Sequence, residues 1–314
     1  MFDFDFDIPP LDWRTCRIPK PKKPGEFRKL TIPNDRLKEV QRFIYDNLKF
    51  EKDLRPSAFA HGFVPFRNTC TGAIRHSTMS PVIICMDMKD FFDRFPLEPI
   101  RQRMLDAGMN DAFVDKILKV CSYNNTIPQG SPTSPFLTNV GMFHTDLKLS
   151  SYAADNGFTY SRYADDLTFA LREDAIPKKS YFRFIKGVEA MLKADLGVEL
   201  NRKKTHIIRL SGKCPREITG VVVRKDGMGY NAPRKQRRII RAKLCNLYWK
   251  VVNQGGSLQP EDFGTWATIK GYVCYSDYLR SYSPCEEAAT ADPVVQEKFW
   301  NYLKEKFESA KSKN

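Results

Sequence analysis

The chain has 314 residues, of which 42% are hydrophobic and 28% charged, enough for one large domain or two to three subdomains around a real core. Its 51 Lys and Arg against 37 Asp and Glu give a net charge of +14, which fits a polyanionic partner, most simply nucleic acid. Eight cysteines without a C-x-x-C pair, four scattered histidines, no apolar run near the ~20 residues of a membrane span and an acidic rather than basic start exclude several classes: a disulfide framework, a zinc ribbon, a membrane protein and a secreted one. The expectation is a cytoplasmic protein with reduced thiols and no membrane partner.

The opening FDFDFD reads as a frayed tail or a surface-docked arm. PKPKKPG (19–25) is a basic loop, and FRKLTIP (27–33) a short strand. Residues 35–49 form a predicted helix, with Asp35 as N-cap and Leu37, Val40, Ile44 and Leu48 on one face. SPVIICMDM (80–88) is a nearly continuous apolar, β-branched run, as in a buried central strand, and it ends in an acid. Residues 97–123 are helical with a break at Gly108, 124–135 form a Gly/Pro/Ser loop, and a helical pattern follows. GFTYSRY and LTFAL are strands around an acid pair. Residues 181–197 make an amphipathic helix with Phe182, Ile185, Leu192 and Leu196 on one face, closed by Gly197. VELNRKKTHIIRL and ITGVVVRKDGMGY are strand-like, the second with a D-G turn. From about residue 231 the character changes. A helix packs Arg234, Lys235, Arg237, Arg238, Arg241 and Lys243 into its first half, while Ile239, Leu244, Leu247 and Val251 line up separately. The remainder reads as helical.

YSRYADDLTF (160–169) poses the chemical question, because Asp165 and Asp166 interrupt an apolar run. A lone buried carboxylate costs several kcal/mol unless it is paired or metal-bound. The pair is therefore either a turn open to water or a cation site. If the strand ending at Asp87 lies beside this hairpin, three carboxylates converge at one sheet edge. Oxygen donors without nitrogen or sulfur suit Mg²⁺. Two such ions about 3.5–4 Å apart clamp the attacking and leaving oxygens of phosphoryl transfer.

The order of the surrounding motifs favours the cation site. DMKDFFDRF resembles motif A of the reverse transcriptases, IPQGSPTSPFLTN motif B, YADD motif C, ELNRKKT motif D, and ITGVVV with its following turn the primer grip. Together they span roughly residues 27–245. The resemblance implies an α+β right-hand polymerase: fingers from 1–79 and 96–127, a palm with a small antiparallel sheet from 80–95 and 128–227, and a helical thumb from 228–314. It implies that Asp87, Asp165 and Asp166 hold two Mg²⁺, with Mn²⁺ as a substitute. Arg28, Lys29, Gln129, Gly130 and the backbone N–H groups of Met88 and Lys89 would meet a deoxynucleoside triphosphate. Phe92 would exclude a ribose 2′-hydroxyl, with a plain core role beside Phe91 as the alternative. Lys204 would protonate the leaving pyrophosphate. The six cations of the helix after Pro233 would track duplex phosphates.

PQGSPTSP, SRYADDLTF and TWATIKGYVCYSDYL are most similar to bacterial retron reverse transcriptases. GAIRH (72–76) keeps the Ala and His of their Asn-Ala-x-x-His element, and Ile218-Thr219-Gly220 stands where they carry Val-Thr-Gly. At this length, neither an RNase H nor an endonuclease domain is expected after the thumb. The implied partners are a structured non-coding RNA, its linked DNA copy, dNTPs and an effector or toxin protein, in anti-phage defence. Template-independent or protein- or self-primed DNA synthesis by another defence-type enzyme remains open, as does a catalytically silent RNA-binding scaffold.

Overall fold

A computed structural model describes residues 4–19, 25–175, 180–212, 215–224, 229–253 and 259–280. Most of the PKPKKPG loop, the D-G turn at 226–227 and the chain after residue 280 lie outside the described residues. The chain divides into two compact units, Met1–Ser211 and Gly212–Asn314.

In the first unit the elements are β1 (Trp13–Pro19), β2 (Phe27–Pro33), α1 (Asp35–Leu48), α2 (Thr69–Ile74), β3 (Val82–Asp87), α3 (Phe91–Arg94), α4 (Glu98–Asp106), α5 (Asp111–Cys121), α6 (Ser134–Gly141), α7 (Phe143–Asp155), β4 (Phe158–Tyr163), β5 (Asp166–Leu171), α8 (Tyr181–Leu196) and β6 (His206–Arg209). The main sheet runs β4-β5-β3-β6, antiparallel throughout. The apolar run VIICMD becomes the interior strand β3, with neighbours on both edges. Behind the sheet, α8 inserts Phe184 among Phe158, Phe169 and Tyr152, with ring centroids 4.4, 5.2 and 5.2 Å away.

Three local expectations are corrected. The cap of α1 is Asn34, whose side chain accepts the Leu37 N–H at 2.8 Å, and Asp35 is the first helical residue. The core face of α8 is Phe184, Val188, Leu192 and Leu196, spaced four apart. Phe182 lies off that face, 67% exposed, with the Lys186 ammonium over its ring. The third is the length of the predicted strand from Val198 to Leu210, which shrinks to β6, because residues 201–205 make a turn at the sheet end. The N-terminal segment is a docked arm: Phe6 is buried, and Phe4 packs edge-on against Phe43 of α1 and Phe113 of α5.

The second unit holds β7 (Glu217–Ile218), β8 (Val221–Val223) and β9 (Tyr230–Asn231) in one antiparallel sheet, then α9 (Arg234–Asn253) and α10 (Phe263–Arg280). It begins at Gly212, upstream of residue 228, where the sequence pattern starts the thumb. Leu247 and Val251 of α9 pack with Trp266 and Ile269 of α10. Ile239 does not join them and is 46% exposed, since it sits two turns too early on α9 to reach this cluster. No helix among the described residues is long and apolar enough to cross a membrane.

Candidate active site

β3 ends at Asp87 and β5 begins at Asp166, and the two are register partners. Opposed residues of an antiparallel pair project from the same face, so the ladder sets both carboxylates side by side. The β4–β5 hairpin closes through Ala164 and Asp165. Ala164 has φ 53°, a left-handed conformation that costs a non-glycine residue about 1 kcal/mol or more. Three contacts hold this turn. The Met88 N–H donates to the Asp165 carbonyl at 2.9 Å, and Arg162 Nη1 donates to the Ala164 carbonyl at 3.1 Å. Gly62 lies so close that a Cβ there would stand 2.7 Å from the Ala164 nitrogen.

Lys204 arrives from the turn before β6. The Asn201 N–H donates to the Asp87 carbonyl at 2.7 Å, which anchors that turn, and Lys204 Nζ donates to Asp87 Oδ2 at 2.5 Å. An open cleft of about 400 Å³ here is lined by Cys85, Met86, Asp87, Asp166, Lys203, Lys204 and His206. Burial raises the Asp166 carboxyl to about 6, aided by the charges of Asp165 and Asp87 and opposed by Lys204 and His206. Asp165 is also raised, by burial first and Asp87 next, against the pull of Lys204 and Arg28.

Among the described residues no three His, Cys, Asp or Glu side chains already gather round one point. The donor set nonetheless fits a divalent cation. Asp87, Asp165 and Asp166 offer carboxylate oxygens, and burial disfavours the ionised form of Asp165 and Asp166 until positive charge is supplied.

The other expected residues fall as follows. Arg28 and Lys29 are exposed on β2, and their charges reach Asp165 and Asp93 respectively. Phe92 is half-buried, its ring 5.3 Å from that of Phe91. The Gln129 carbonyl accepts the Thr31 N–H at 2.8 Å. Gly130 has φ 126°, and a Cβ on it would stand 2.8 Å from the Thr31 carbonyl oxygen. The close approach that requires glycine here is therefore that of β2. The expectation for Met88 and Lys89 is corrected: their N–H groups are spent within the protein, on the Asp165 carbonyl at 2.9 Å and the Glu199 carbonyl at 2.8 Å. Within the second unit, Arg234, Lys235, Arg238, Arg241 and Lys243 are exposed on α9, and Arg237 is partly covered.

A buried network escaped the sequence reading. Asp146 of α7 and Arg162 of β4 are both 0% exposed and joined bidentately, with Nε to Oδ1 at 2.9 Å and Nη2 to Oδ2 at 2.8 Å. Tyr160 and Ser57 hydroxyls also donate to Asp146, at 2.8 and 2.6 Å. His76, fully buried, bridges Thr159 and Ser161 hydroxyls of β4 at 2.8 and 2.7 Å, and burial lowers it to about 3, so it is neutral.

A family model described as reverse transcriptase (RNA-dependent DNA polymerase) matches residues 18–239. The chain belongs to this family and is retron-like within it. It is 30% identical over 306 residues to the retron Mx162 reverse transcriptase of Myxococcus xanthus, a match covering 88% of this chain and 62% of that one. It is 31% identical over 231 residues to the retron Ec86 reverse transcriptase of Escherichia coli, covering 72% of this chain and 68% of that one. The chain thus spans just under two thirds of the Mx162 relative's length. Among solved structures, a chain of Candida albicans telomerase in complex with a telomeric RNA fragment is similar with a TM-score of 0.48 and 10% identity, over 75% of this chain and 50% of that one. Reverse transcriptases use divalent metal ions, in keeping with the acid set.

Proposed function

We propose that the protein is an RNA-directed DNA polymerase of retron type, copying a structured non-coding RNA into RNA-linked DNA. One observation carries the reading: Asp87 and Asp166 face each other across β3 and β5, with Asp165 at the turn and the Lys204 ammonium on Asp87. Asp87, Asp165 and Asp166 would hold two Mg²⁺, or Mn²⁺, which when bound supply the positive charge that stabilises an in-line phosphoryl transfer. Lys204, adjoining the acids and open to solvent on its outer side, donates a proton toward the departing pyrophosphate. Arg28 and Lys29 meet the incoming dNTP phosphates, Gln129 and Gly130 fix the loop beside them, and Phe92 excludes a 2′-hydroxyl. The cations of α9 follow the duplex backbone.

In this reading residues 1–79 and 96–127 are fingers, 80–95 and 128–227 palm, and 228–314 thumb. The setting is cytoplasmic, with an effector or toxin protein as partner in anti-phage defence.

The test is sequencing of nucleic acid that co-purifies with wild type and with Asp165→Ala/Asp166→Ala, each expressed from its native locus and treated with RNase or DNase. One discrete RNA in both, carrying covalently linked complementary DNA only in wild type, is expected. Unlinked or untemplated DNA in wild type would move the protein to another defence-type enzyme, and DNA in neither would leave an RNA-binding scaffold.

A further inference from the structure

We propose that Arg162 is a positioning residue for the acid pair, acting through the backbone of the turn that carries it. The inference rests on the polymerase reading above and adds a residue to it.

Asp146 accepts hydrogen bonds from Ser57 and Tyr160 hydroxyls and from Arg162 Nε and Nη2, so both its oxygens are fully engaged. A guanidinium is planar, and once its Nε and Nη2 edge is fixed on a carboxylate, the direction of Nη1 follows. Nη1 points at the Ala164 carbonyl, 3.1 Å away. That carbonyl belongs to the peptide joining Ala164 to Asp165. Its orientation sets where the Asp165 and Asp166 side chains leave the backbone. Ala164 sits at φ 53°, which alanine does not favour unaided.

The main chain of Arg162 is held as well. Its N–H donates to the Phe59 carbonyl at 2.8 Å, and its carbonyl accepts the His61 N–H at 2.7 Å. The segment thus anchored continues into Gly62, whose backbone lies so close to the Ala164 nitrogen that a Cβ there would stand 2.7 Å from it. A fully buried ion pair is weak evidence of stabilisation, since apolar replacements often do as well. What an apolar replacement could not do is aim a donor at the Ala164 carbonyl.

Four proteins test this: wild type, Arg162→Lys, Arg162→Lys/Ala164→Gly, and Leu192→Ala, a core truncation on α8 that serves as a stability control. Melting temperature, Mn²⁺ binding by electron paramagnetic resonance, and kcat and KM for primer extension on RNA are measured for each. Lysine keeps the charge but has no fork to span Asp146 and Ala164. Arg162→Lys is expected to lose about a hundredfold in kcat and to bind Mn²⁺ more weakly, with KM little changed. Glycine at 164 adopts the turn without strain and is expected to restore part of both. Leu192→Ala is expected to melt lower yet keep kcat within about twofold.

Wild-type kcat in folded Arg162→Lys, or a loss matched by Leu192→Ala at equal melting temperature, overturns the proposal. So does failure of both Arg162 variants to fold while Leu192→Ala folds, which would make Arg162 a folding element only. An inactive wild type that binds no Mn²⁺ instead refutes the polymerase reading beneath it.

Discussion

Lys204 Nζ stands 2.5 Å from Asp87 Oδ2, joining a side chain that is 58% exposed to one that is 7% exposed. Burial works against the charged amine, but the Asp87 hydrogen bond and the charges of Asp87, Asp165 and Asp166 outweigh it and raise Lys204 above the ordinary lysine range. The amine therefore stays protonated across neutral pH. Its contribution to stability is fully present below the ordinary lysine value and is lost as pH climbs through the raised one. Lys204→Ala should lower kcat by about a hundredfold or more with a smaller change in KM. Lys204→Arg should recover KM but not kcat, because a guanidinium gives up no proton at working pH. Steady-state pH profiles of the three proteins check this through the alkaline limb, which should be present in wild type and absent in both variants.

Asp166 makes the metal-free protein pH-sensitive in a definite direction. Its carboxyl is held at about 6 in the fold against 3.8 ordinarily, so the native state binds the extra proton between those values. Stability must then fall as pH rises through that window, by roughly 2–3 kcal/mol for this group. Asp166→Asn should be more stable than wild type at pH 7 without divalent ions, and inactive. Adding Mg²⁺ at pH 7 should raise the wild-type melting temperature, and the gain should shrink below pH 6 as Asp166 protonates. Melting curves against pH, with Mg²⁺ and with a chelator, read all three effects.

Gly130 links the loop before α6 to the hairpin strand that bears Arg28 and Lys29. Gly130→Ala would place a Cβ 2.8 Å from the Thr31 carbonyl at a φ of 126°, so β2 must shift. A loss of about 1–3 kcal/mol in stability is expected. KM for dNTP should rise, because the displaced strand carries Arg28 and Lys29, the cations proposed to meet the dNTP phosphates. Thermal unfolding together with dNTP titration of primer extension decides it. Unchanged values would mean that the loop and the hairpin move independently.

Phe92 tests the choice of sugar. Its ring is half-buried beside Phe91, so truncation leaves the Phe91 and Phe95 packing in place. Phe92→Ala should raise ribonucleotide use relative to deoxynucleotide by roughly a hundredfold. Competition assays with matched NTP and dNTP read this ratio, and an unchanged ratio with reduced stability would leave Phe92 a core residue.

The sequence was most legible where pattern and chemistry coincide. The apolar run ending in Asp87 reads as a central strand, and the acid pair between two strands as a hairpin tip. Whether the two lie side by side was left conditional, and the structure supplies it: the register pairs Asp87 with Asp166. Strand β1 was not legible: WRTCRIP is polar and its seven residues pair with β2 in a two-stranded hairpin, where no core imposes an alternation. The roles of Met88 and Lys89 were misjudged because backbone donors carry no sequence signature; their N–H groups close onto Asp165 and Glu199. Asp146 and Arg162 were missed for a different reason. Each looks like a surface charge in its own segment, HTDLKL and YSRY, and only the packing of α7 on β4 buries them together. Phe182 and Phe184 differ by two positions on one helix, and the sheet, not the helix, decides which of them is core.

Primer extension on a defined RNA template measures the central claim most directly. Wild-type protein is compared with Asp165→Asn/Asp166→Asn, which keeps side-chain size and the turn. Mg²⁺, the four dNTPs and a primed RNA are supplied, and the product is sequenced. The expected result is DNA complementary to the RNA from wild type, abolished by a chelator, and none from the variant although it stays folded and binds the RNA. Wild type that makes no DNA on this template or on its own co-purified RNA, or a variant that still extends the primer, would contradict catalysis by these carboxylates.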